Sequence, residues 1–63
     1  MNKVVKILME RDGMTESEAL TLLTHVRNEI DVALADDDYS LVEDIIYCDL
    51  GLEMDYVAEI LLV

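Results

Sequence analysis

Residues 15–35, TESEALTLLTHVRNEIDVALA, decide the fold, because no other stretch of the chain keeps one period for so long. Ala19, Leu22, Leu23, Val26, Ile30, Ala33 and Leu34 recur at steps of three and four, with Glu16, Glu18, Thr21, Asn28, Glu29 and Asp31 between them. Such spacing predicts an amphipathic helix with a single buried stripe. Its start is also written. Thr15 followed by Glu18 forms a capping-box pattern, and Gly13 stops whatever lies before it.

Working outward toward the amino end, residues 2–12 place Val4, Val5, Ile7, Leu8 and Met9 mostly on one side of a helical projection, with Lys3, Lys6 and Glu10 on the other. A short helix is the preferred reading. A strand is its rival, since Val4, Val5 and Ile7 are β-branched, although strict alternation fails twice. Gly13 is expected as a left-handed cap, and Met14 as a flexible plug over the central helix.

Toward the carboxyl end, Asp36, Asp37 and Asp38 interrupt the helix, and either Asp38 or Ser40 caps the next one. Leu41, Val42, Ile45, Ile46 and Cys48 are the expected buried stripe of this third helix; Glu43, Asp44, Tyr47 and Asp49 are its wet side. Gly51 closes it, with Leu52 folding back onto the last turn. Residues 53–62 predict a fourth helix with a broad apolar face made by Met54, Val57, Ala58, Ile60, Leu61 and Leu62. The fold class expected is therefore all-α, a compact single-domain bundle of three to four short helices around a central one.

A domain of 63 residues buries only about 60% of its unfolded surface, so stability has to come from somewhere. One cysteine and one histidine exclude a disulfide and argue against a structural metal. With 54% apolar residues in so short a chain, oligomerisation is the remaining staple. A homodimer is expected, with Val57, Ile60, Leu61 and Leu62 at its interface.

Fifteen acids against four bases give a net charge of −11. Residues 12–63 hold fourteen of the acids and a single base, Arg27. Such a chain repels nucleic acid and anionic lipid, and a partner chosen by charge is basic. The apolar run at residues 4–9 is too short and too charged for a signal peptide or a membrane span, and a lone cysteine suits a reducing cytoplasm. No pattern nominates a catalytic residue, a cofactor site or a metal site. Counted from Asp36, an EF-hand loop would need Gly where Leu41 stands and Glu where Tyr47 stands. His25 has no nucleophile at useful spacing, and Cys48 reads as a core residue. Tyr47, on a wet face beside acids, is the aromatic expected to touch a partner. As for imitation of DNA, −11 matches about 19 Å of duplex at one charge per roughly 1.7 Å, and a dimer twice that.

Gly13-Met14-Thr15 with Glu18-Ala19, Ala33-Leu34, Asp38-Tyr39, Glu43-Asp44-Ile45-Ile46, Leu50-Gly51-Leu52-Glu53 and Asp55-Tyr56 together resemble a class of small, acidic, all-helical proteins encoded by bacteriophages and prophages. Two positions depart from it: members of the class often carry Gly where Asp37 stands and Pro where Met54 stands. The resemblance implies an accessory protein acting in a bacterial cytoplasm, in a setting where small acidic proteins inhibit defence nucleases or other nucleic-acid-binding proteins of the host. The expectation is a non-enzymatic module that binds a basic host protein through Glu29, Asp31, Asp36, Asp37, Asp38, Glu43, Asp44 and Tyr47. The alternative is a structural or assembly module that docks a partner helix through its apolar carboxyl end.

Overall fold

The computed structural model describes residues 2–62. It has four helices: α1 (Lys3–Asp12), α2 (Glu16–Ala35), α3 (Tyr39–Ile45), which runs on into a π turn over Ile46–Leu50, and α4 (Val57–Leu61), entered through a 3₁₀ turn at Met54–Tyr56. Among the described residues there is no strand. None of the helices is long and apolar enough to cross a membrane. At 20 residues, α2 spans about 30 Å, close to the 32 Å long axis of the molecule. The other three helices all pack on it, and α1 also touches α4.

The start of α2 is the expected capping box. Thr15 Oγ1 accepts from the Glu18 N–H at 3.1 Å, and the Glu18 carboxylate accepts from the Thr15 N–H at 2.9 Å. The second bond, with help from the Thr15 hydroxyl, holds the Glu18 carboxyl below the usual glutamate range. Ala19, Leu23, Val26, Ile30 and Ala33 form the buried stripe, while Leu22 and Leu34 flank it half-buried. Residues 2–12 are helix rather than strand because Val4, Val5 and Leu8 share one buried face, Asn2 caps the amino end and Gly13 the other. Asn2 does more than cap. Its Oδ1 accepts from the Val4 N–H at 2.8 Å while its Nδ2 donates to the Glu59 carbonyl at 2.6 Å, which ties α1 to α4.

The α2–α3 corner is a position that favours glycine, yet this chain has Asp37 there. The Asp37 N–H donates to the Leu34 carbonyl at 3.0 Å and the Asp38 N–H to the Ala33 carbonyl at 2.9 Å. This is the Schellman arrangement, and it puts Asp37 at φ 55°, a left-handed conformation that costs a side chain. Asp38, not Ser40, caps α3 by accepting from the Leu41 N–H at 3.1 Å.

Two parts of the carboxyl half differ from the sequence-based expectation. Cys48 and Leu41 are exposed, and Leu50 is buried in their place. The wider i→i+5 winding of the π turn rotates less per residue than an α-helix. That swings Cys48 outward and brings Leu50 under Ile46. The fourth helix is also shorter than residues 53–62. Glu53 makes no side-chain cap, so the first turn tightens, with the Tyr56 N–H bonded to the Glu53 carbonyl at 3.2 Å.

Replacing Asp37 with Gly is expected to raise stability by about 1 kcal/mol in a urea titration, by relieving the left-handed backbone and separating Asp36 from Asp38. Glu18 gives a pH test. Its pKa is lowered on folding, so its contribution is complete above the ordinary glutamate value and disappears as pH falls through the folded one. The stability gap between the wild type and Glu18→Gln should be open at neutral pH and should narrow as pH falls below the ordinary glutamate value. Using the difference cancels the relief of acid–acid repulsion that both proteins share.

Candidate interaction surface

Glu43, Asp44 and Tyr47 stand on the solvent side of α3 and its π turn, opposite buried Val42, Ile45 and Ile46. Tyr47 follows Glu43 by four positions and Asp44 by three, so its ring lies beside both carboxylates, while Glu43 and Asp44 themselves leave the helix about 100° apart. Tyr47 is 71% exposed. At Gly51 the chain turns back, with φ 65° and its N–H on the Tyr47 carbonyl at 2.9 Å. The turn brings Leu52, Glu53 and Met54 alongside α3. Together these six residues line an open groove of about 310 Å³. Leu52 and Met54 are half-buried against the core and supply its apolar part, whereas Glu43, Asp44, Glu53 and Tyr47 are exposed.

Arg11 fixes that wall in place. Its guanidinium donates to the Leu50 carbonyl at 2.6 Å and to the Gly51 carbonyl at 3.5 Å, where the π turn ends. Two further bonds of 2.9 Å join it to the Asp12 carboxylate. These bonds hold the Asp12 carboxyl below the ordinary aspartate range, and the same fork raises Arg11. A cation at the carboxyl end of a helix also meets the partial negative charge gathered there. By sequence alone Arg11 is simply one of four bases. Nothing local signals a partner 39 residues away in the chain.

The eight residues expected at a partner surface do not form one patch. Glu29 and Asp31 are two apart on α2, so they leave the helix on nearly opposite sides. Each already has a partner within the helix: the Glu29 carboxylate lies 2.9 Å from His25 Nε2, and the Asp31 carboxylate 3.9 Å from Arg27 Nε. Asp36 and Asp37 form the α2–α3 corner, and Asp38 is the α3 cap. Glu43, Asp44 and Tyr47 are the members brought together, and Glu53 joins them. By sequence Glu53 falls at the start of the fourth helix expected over residues 53–62. The signal that could have placed it here is Gly51, whose reversal sends the next three residues back past the end of α3.

Comparison with protein-family models, with curated proteins and with solved structures finds no match for this chain.

The four residues expected at a dimer interface fall in different environments. Ile60 is fully buried in the chain's own core, and Val57 and Leu61 pack half-buried against that core. Ile60 is removed from the interface for that reason: exposing it would open the core. Leu62 is 78% exposed. It is the residue of the four that stands out into solvent.

Arg11→Met should lower the melting temperature and speed amide hydrogen exchange at residues 51–56, while exchange in the middle of α2 stays slow. Arg11→Lys keeps the charge but not the fork and should fall between.

Proposed function

We propose that this chain is a non-enzymatic accessory module, of the phage type it resembles, that binds a basic protein of its bacterial host through the outer face of α3. The observation that carries this reading is that Glu43, Asp44 and Glu53 gather around one groove and no described residue pairs with their carboxylates. Asp12, Glu18, Glu29, Asp31 and Asp38 each bond within the chain, and the other acids without a side-chain partner, Glu10, Glu16, Asp36, Asp37, Asp49, Asp55 and Glu59, are not among the residues that line the groove. Unengaged acids around a partly apolar groove with an exposed tyrosine suit a partner better than a solubilising coat does. A basic nucleic-acid-binding surface is the natural counterpart, and covering it would exclude nucleic acid.

Charge density favours a local patch over imitation of a duplex. Over the 32 Å long axis a duplex would carry about 19 charges, against a net −11 here, and Glu29 and Asp31 face apart. A second reading, docking or self-association through the carboxyl end, is favoured by the exposed Leu62 alone.

Capture of a partner from bacterial lysate tests both readings. Under the first, recovery drops about tenfold between roughly 0.05 and 0.5 M salt. Glu43→Gln with Asp44→Asn should cost more binding than changing Asp36, Asp37 and Asp38 together to Asn, although it removes fewer charges. Salt-independent capture that is lost in Leu62→Glu would instead establish the second reading.

A further inference from the structure

The groove beside α3 has a composition that narrows the chemistry of its occupant. Leu52 and Met54 offer an apolar bed, the Tyr47 ring is open to solvent, and Glu43, Asp44 and Glu53 supply three carboxylates with no base among the lining residues. Acids alone would be served by mobile counterions. An apolar bed alone would take any hydrophobic side chain. The two together call for a group with a long apolar stem and a cationic head. At about 310 Å³ the groove is at the small end of ligand sites, with room for one long side chain and part of its neighbour.

Resting on the reading of this face as a protein-binding one, we propose that the groove receives an arginine side chain from the partner polypeptide. The stem lies along Leu52 and Met54, the guanidinium plane faces the Tyr47 ring, and its N–H groups donate to the carboxylates of Glu43, Asp44 and Glu53. Arginine fits better than lysine for a physical reason. Its planar, weakly hydrated head stacks on an aromatic face and forks onto carboxylates, whereas an ammonium holds its water more strongly. Lysine would still be attracted, but with less to gain from the ring.

The test uses the full ¹⁵N-labelled chain titrated at about 0.15 M salt, where surface charge is screened beyond roughly 8 Å. The probes are three blocked pentapeptides, Ala-Leu-X-Leu-Ala, in which X is arginine, lysine or glutamine. The arginine peptide should shift amides at residues 43–54 and bind several-fold tighter than the lysine peptide, with the glutamine peptide giving no saturable shift. Tyr47→Ala should weaken the arginine peptide about fivefold and Tyr47→Phe should not, since the ring and not the hydroxyl makes the contact. Tyr47 is exposed, and circular dichroism is to check that each variant is folded. Equal binding of arginine and lysine, binding of the glutamine peptide, shifts as large at Glu16 or Asp36 as in the groove, or a silent Tyr47→Ala would each overturn the assignment. If the peptide ignores the groove while lysate capture still depends on Glu43 and Asp44, this assignment falls and the acidic-face reading stands. If capture is also indifferent to them, both fall.

Discussion

Burial of one stripe on α2 is the constraint from which the rest of this structure follows. Ala19, Leu23, Val26, Ile30 and Ala33 lie at a spacing that only a helix can put on one side, and α1, α3 and α4 each dock there. Truncating one such large residue costs about 2–5 kcal/mol. The net stability of a domain this size is roughly 3–9 kcal/mol at about 0.05–0.15 kcal/mol per residue. Caps and turns, at about 1 kcal/mol apiece, tune where elements begin and end; they could not hold the bundle without the stripe. Among the described residues, thirteen buried apolar side chains form one cluster around that stripe.

The π turn at Ile46–Leu50 links that core to the surface. If α3 had continued as an ordinary helix, Leu50 would sit at the margin of the buried face. The extra residue in the turn lets Leu50 go under while Gly51 leaves in the left-handed conformation. The chain then reverses, and Leu52, Glu53 and Met54 return beside Glu43, Asp44 and Tyr47. Arg11 closes the arrangement by donating to the carbonyls at the end of the π turn. One local change in winding therefore builds a groove that neither flanking segment contains alone. π turns inside helices recur at functional sites for this kind of reason.

Electrostatics divides the acids into two populations. Glu18 and Asp38 serve as caps, and Asp12, Glu29 and Asp31 each lie beside a base, where they contribute to local structure. Pairs as exposed as His25–Glu29 and Arg27–Asp31 add little stability, but they partly neutralise the faces they occupy. The other carboxylates have no such partner among the described residues, and the fold gathers three of them, Glu43, Asp44 and Glu53, around the α3 groove. Total charge describes solubility; its distribution describes recognition.

The sequence by itself determined what depends on near neighbours. The α2 stripe, the Thr15–Glu18 capping box, the stops at Gly13 and Gly51, and the wet side of α3 through Glu43, Asp44 and Tyr47 all follow from spacings of one to four residues. Helix period and cap geometry operate at that range. What depends on distant segments needed the folded chain: that Lys3–Asp12 is helix, that Cys48 turns out and Leu50 in, that Ile60 belongs to the chain's own core, and that Glu53 lines the same groove as Glu43. Tertiary structure also decided that Arg11 reaches Leu50 and Asn2 reaches Glu59. A periodic pattern shows which face of a helix is apolar, but only packing decides how the last turn winds to fill the core, and only the folded chain brings residues far apart in sequence within hydrogen-bond distance.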